Sequence, residues 1–206
     1  MAIGNTTERA VSGARRSRWL LALTQLFFFL SLALCVAINH STTAATDGIS
    51  FYGVYHRTIL ILFVGFTVGA FGLWRVSAYY AQAGAPAAMV GGTRAVALGL
   101  FVVLATPYNQ GTLLDWTHMT VGVTMALVQL AIAAALVARW RTPRASFAFA
   151  VQLGGGLLAA ASLPSWHFPY LLLGETLYEA GYAIILFEWM RVLAEDRDAV
   201  GALYES

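Results

Sequence analysis

The sequence predicts an all-α, polytopic membrane protein: a bundle of six transmembrane helices with both termini cytoplasmic. Three observations carry that expectation. Hydrophobic residues fill 59% of the 206 positions and Asp, Glu, Lys and Arg only 11%, against roughly 45–50% and about 25% in ordinary soluble domains. The mean hydropathy is +0.70. The apolar residues also fall into six runs near the ~20 residues that a hydrocarbon core of about 30 Å requires. Such a composition excludes a disordered or fibrous chain and argues against a soluble enzyme.

The expected spans are 19–39, 58–79, 95–110, 118–139, 146–164 and 169–192. They divide the chain into a cytoplasmic segment 1–18, a membrane domain 19–192 and a cytoplasmic tail 193–206. Span one has too long an apolar run for a cleaved signal peptide, whose apolar region is usually about 7–15 residues. Leu32-Ala33-Leu34-Cys35 has leucine where a lipoprotein cleavage box needs a small residue, so Cys35 reads as a buried small hydrophobe. Span three is weakened at its outer end by Pro107 and Gly111. The preceding 81–93 (AQAGAPAAMVGGT) reads as a flexible inner linker.

Small residues mark where helices approach closely in lipid. Span two carries Gly65, Gly69 and Gly72, span five Gly154-Gly155-Gly156, and span six Gly174 and Gly181. These faces are expected to meet inside the bundle. Trp19, Tyr79, Tyr80, Trp140, Trp166, Tyr170 and Trp189 sit near span ends, as an interfacial belt would.

Charge sets the orientation. All twelve basic residues are arginine, and a cytoplasmic N-terminus puts eleven of them inside, with only Arg57 outside. The absence of lysine excludes Schiff-base chemistry and a Lys-based phosphate loop. One cysteine excludes an intrachain disulfide. The net charge of +2 is too small, and the arginines too scattered, for nucleic-acid binding.

The outer face collects His40, His56, His118 and His167 with Asp47, Asp115, Glu175 and Glu179, a formal −3 against +5 inside. Glu179 lies about ten residues into span six, near the bilayer centre. A charge there costs about 2.5–3.5 kcal/mol by insertion scales, so it must be neutralised, paired or wet. Arg57 is the expected counter-ion for Glu175 or Asp115. Together Arg57, Asp115, His118, His167, Glu175 and Glu179 form the candidate outer vestibule, with Glu179 facing the bundle interior beneath it. No cofactor is expected. Zinc held by His56, Asp115, His118 and His167 is the minor alternative, lacking any local ligand spacing. No GxSxG elbow is present, and nothing in the sequence pairs Ser50, Ser162 or Ser165 with a histidine.

Asp47-Gly48-Ile49-Ser50-Phe51-Tyr52, Arg57, Phe63-Val64-Gly65 and Ala70-x-Gly72 resemble the Frag/DRAM/Sfk superfamily of small six-helix membrane proteins. His118 opening span four and Glu179 in span six also look like its pattern. The resemblance implies a bacterial-type plasma-membrane protein, not clearly enzymatic, of a group connected with lipid handling. The expected function is therefore non-catalytic binding of lipid, an ion or a partner at the vestibule. A proton- or cation-coupled transporter and an outer-face metal-dependent hydrolase are the alternatives. Expected partners are membrane lipids and a second copy or another membrane protein. The orientation has a direct check. A cysteine placed at Thr43 should react with an impermeant maleimide from outside, and one at Thr142 only after permeabilisation; the reverse pattern overturns every side assignment.

Overall fold

The computed structural model describes the backbone of residues 3–82, 84–163 and 168–205, and side chains from Ser17 onward except those of Ala194 and 196–205. The described residues form seven α-helices and one 3-10 turn and contain no strand. The helices are α1 (Ile3–Ile38), α2 (Thr42–Asp47), α3 (Ile59–Gln82), α4 (Ala87–Ala105), α5 (Thr112–Trp140), α6 (Pro143–Ala161) and α7 (Leu171–Glu205), with the 3-10 turn Ile49–Gly53 between α2 and α3. Five of them are long and apolar enough to cross a membrane: α1 from Ser17, α3, α4, α5 and α6. The sixth long helix, α7, carries Glu175, Glu179, Glu188 and Arg191 within its first six turns.

Helix ends follow local chemistry. Thr142 caps α6 by accepting from the Ala145 N–H at 3.1 Å, and Pro143 follows in the first turn, where its missing N–H does no harm. Arg141 closes α5 in the left-handed region at φ 49°, so α5 and α6 reverse direction over two residues. Pro107 disfavours helical geometry in the residue before it, and α4 stops at Ala105. The third span therefore begins and ends earlier than 95–110. Residues 87–93, expected as flexible linker, form the first turns of α4 instead. Their small side chains serve packing: a Cβ on Gly92 would stand 2.8 Å from Ile132.

Glycines join the helices in antiparallel pairs. Gly65 and Gly72 lie against Ser31 and Thr24, seating α3 on α1. Gly92 and Gly99 seat α4 on Ile132 and Met125 of α5. The tightest pair is α6 with α7, where backbone meets backbone. A Cβ on Gly155 would be 2.5 Å from the Tyr178 nitrogen, one on Gly174 2.5 Å from the Ala159 nitrogen, and one on Gly181 2.6 Å from the Ala148 oxygen. The glycines of spans five and six meet as expected, whereas those of span two face α1.

α7 also contacts α1 and α5, and α3 bridges α1 to α4. Tyr79, Tyr80 and Trp189, expected in an interfacial belt, are instead buried, the Tyr80 and Trp189 rings 3.9 Å apart. They fill the core at the arginine-rich end. Trp19 and Tyr170 are exposed, Trp140 is half-buried, and Trp166 lies outside the described residues. Cys35 is buried as expected. Apolar side chains also run along outward faces, most plainly Leu113, Trp116, Met119, Val123 and Leu127 on α5.

The α6–α7 contact yields a paired test. Alanine replacing a helical glycine ordinarily stabilises by about 0.5–1 kcal/mol, and a Cβ added to Gly154 would meet nothing within 4 Å. Gly154→Ala should therefore hold or raise the melting temperature in detergent. Gly155→Ala, one residue on, should lower it by the equivalent of about 1–3 kcal/mol, the usual cost of overpacking.

Candidate functional site

The end of the bundle opposite the arginines is closed by residues 39–58, which fold back over it rather than looping away. Ser41 caps α2 by accepting from the Ala44 N–H at 3.1 Å. α2 ends at Gly48, whose φ of 73° lies in the region that glycine reaches without steric penalty. The 3-10 turn then runs into Thr58, whose hydroxyl donates to the Tyr52 carbonyl at 2.9 Å. Tyr52, fully buried, donates its own hydroxyl to the Asn39 carbonyl at 3.1 Å. These bonds lock the base of the cap to α1 and α3.

Three further bonds tie the tip of the cap to the rest of the bundle. Tyr108, in the α4–α5 loop, donates to Asp47 Oδ2 at 3.0 Å. Burial and the neighbouring carboxylate push its phenol above the usual range, so it remains a donor. Glu175 Oε2 accepts the Ile49 N–H at 2.6 Å. The Ser50 hydroxyl meets His118 Nε2 at 2.7 Å, and His118 Nδ1 meets the Thr106 carbonyl at 2.6 Å. A carbonyl only accepts, so in the neutral imidazole Nδ1 carries the proton and Nε2 accepts from Ser50. Asp47, Ile49 and Ser50, within four residues of one another, thus hold the α4–α5 loop, α7 and α5 in one network.

One turn deeper, both oxygens of Glu179 accept from Gln129 Nε2 of α5 at 3.1 Å. Gln129 is almost completely buried. Beside it the Tyr178 hydroxyl donates to the Ala126 carbonyl. Glu179 therefore faces α5 inside the bundle, as expected. Glu175 and Glu179 form a two-step column running inward from the cap.

The expected vestibule is only partly assembled. Glu175 and His118 are brought to the cap. Asp115 instead accepts from the Asn109 and Gln110 N–H groups at 2.5 and 3.3 Å, pinning a turn where Asn109 sits at φ 64°. Arg57 is exposed and forms no ion pair among the described residues, which is a correction to its expected role. Glu175 is met by a backbone amide in place of that guanidinium. His167 lies outside the described residues. His40 and His56 are both exposed. Among the described residues no three His, Cys, Asp or Glu side chains gather as a metal site, and both nitrogens of His118 are already engaged.

Ser50 is paired with a histidine after all, contrary to the sequence expectation. The pair resembles a nucleophile and base in geometry, but its surroundings oppose acyl transfer. The adjacent Ile49 N–H is occupied by a carboxylate, which would repel a developing oxyanion rather than stabilise it. The pair reads as a tether. Sequence reasoning also missed Tyr108 and the role of Gly48; the latter left a signal, a glycine directly before the residues that bridge two helices.

Compared with known proteins, the chain matches no family model, no curated protein and no solved structure.

Gly48 tests the cap. A Cβ there would stand within 3 Å of the Glu175 carboxyl carbon and oxygen, at a positive φ. Gly48→Ala should therefore cost about 1–3 kcal/mol and speed amide exchange at Ile49 by about tenfold or more in hydrogen-exchange mass spectrometry. Glu175→Leu should do the same by removing the acceptor, and Glu175→Gln, which retains a carbonyl oxygen, should do so less.

Proposed function

We propose that this chain is a six-span membrane protein of non-catalytic type that binds a small cation, or takes up protons, at the Glu175–Glu179 column beneath its outer cap. α7 is the sixth span, both termini are cytoplasmic, and the membrane is a bacterial-type plasma membrane. The antiparallel pairing supports this by collecting Arg75, Arg139, Arg144 and Arg191 at one end of the bundle, as the bias of arginine towards the cytoplasmic side requires. The continuous apolar faces of α1 and α5 fit contact with lipid chains.

One observation carries the functional reading. Two carboxylates stand one helical turn apart inside the bundle, and their hydrogen-bond donors, the Ile49 amide and the Gln129 amide, are uncharged. Neither acid has an ion-pair partner among the described residues. Acids at such depth mark ion or proton sites in membrane proteins. Binding a lipid or a partner protein at the same end would require the cap to open. The Frag/DRAM/Sfk resemblance is part of this proposal; of the residues that carry it, Asp47 to Tyr52, His118 and Glu179 belong to the network, whereas Arg57, Phe63, Val64, Gly65, Ala70 and Gly72 do not.

Purified protein should gain thermal stability on titration with at least one of sodium, potassium, calcium or acid. Glu179→Gln and Glu175→Gln should each abolish that gain while remaining folded, the second with the modest loss of stability expected at the cap. A coupled transporter would in addition show flux in liposomes that Glu179→Gln removes. Equal responses in wild type and both variants would end the reading.

A further inference from the structure

The opposite end of the bundle carries a second feature that the outer column does not use. A cavity of about 320 Å³ opens between α1, α6 and α7, with Arg18, Arg144 and Arg191 around it and Phe147, Ile184 and Phe187 as its apolar wall. Each arginine comes from a different helix. Arg191 is gripped by Glu188 at 2.7 Å and by Glu195 at 2.6 Å. Glu188, the one acid lining the cavity, is held mainly by Arg191. Arg18 and Arg144 form no close ion pair among the described residues, although the charge of Glu188 also reaches Arg144, and Arg144 lies in the first turn of α6, where the helix dipole favours an anion.

An apolar groove of about 390 Å³ adjoins this cavity and shares Ile184 and Phe187 with it. It runs between α1 and α7 along Trp19, Leu23, Leu26 and Phe29 on one side and Ala180 and Ile184 on the other. A charged cavity at the end of a bundle, continued by a hydrocarbon-lined groove towards its middle, has the polarity of one molecule class. We propose that the cavity and groove together bind an anionic phospholipid, the arginines taking the phosphate and the groove an acyl chain. Guanidinium groups match phosphate oxygens in a two-pronged geometry, and basic pockets between membrane helices suit anionic headgroups. The inference rests on the six-span reading but on neither the outer cap nor the direction of insertion.

The test uses the full chain in nanodiscs of equal parts phosphatidylglycerol and phosphatidylcholine, followed by native mass spectrometry of the released protein. Phosphatidylglycerol should remain bound in preference to phosphatidylcholine. Arg18→Ala with Arg144→Ala should weaken that retention about fivefold per arginine. Arg75→Ala with Arg139→Ala removes two exposed arginines outside the cavity at the same end and should leave retention unchanged. Ala180→Phe, which fills the groove, should lower it, and excess inorganic phosphate should not displace the lipid. Equal losses in the two double variants would assign the effect to diffuse surface charge and overturn the proposal. Displacement by phosphate, or indifference to Ala180→Phe, would reduce the site to one for a free anion and overturn it too. A chain that fails to enter the discs overturns the six-span reading together with this one, whereas entry without arginine-dependent selectivity overturns this one alone.

Discussion

The rotation of α7 about its own axis is the constraint on which the rest of the structure depends. Gly174 and Gly181 are seven residues apart and so share one face, and that face is pressed against Ala159, Ala148 and Gln152 of α6 with no room for a Cβ. The next residue along a helix points about 100° away. Glu175 is therefore turned out of the α6 contact and towards the cap, and Glu179 towards Gln129. A rotation of one residue would carry a carboxylate into lipid or into the backbone of α6. In lipid the hydrophobic effect contributes little to helix association, so this backbone-level fit is what holds the acids in place.

Much of this is legible in the sequence because it depends on composition and period. Glycines at helical spacing announce the α6–α7 face, and the placement of arginines separates the two ends. Glu179 can be assigned to the interior because a charged group cannot face hydrocarbon. Where the reading fails, the reasons are physical. Residues 87–93 read as flexible because Ala and Gly are common in linkers, yet in a membrane bundle the same residues permit close packing. Tyr79, Tyr80 and Trp189 lie near span ends, where aromatic rings often meet the interface, but the three rings pack on one another and on the core instead.

The partners within the site are the least legible. Arg57 is the counter-ion that the sequence suggests for Glu175, because opposite charges at the same depth are the simplest solution. The chain uses the Ile49 amide instead, a donor that every residue except proline possesses and that leaves no trace in composition. Ser50 and His118 are 68 positions apart, and only the fold-back of 39–58 brings them together. Local order does the long-range work here: a Ser41 cap, a six-residue helix and Gly48 aim three closely spaced polar contacts at three different elements.

The chemistry of the donors then separates the two ends of the bundle. At the arginine-rich end, Glu188 and Glu195 both pair with the same one of three converging guanidinium groups, so the cluster keeps a formal excess of positive charge. At the capped end, amides and hydroxyls supply hydrogen bonds to acids without supplying charge. Gln129 shows the distinction: an arginine or lysine at that position could pair with Glu179 as a counter-ion, whereas a carboxamide donates to it without supplying charge. A hydrogen bond from a neutral group is weaker than one from a cation, and in a low-dielectric interior that difference is enlarged. The Glu175–Glu179 column is thus fixed in geometry by donors that bring no charge of their own.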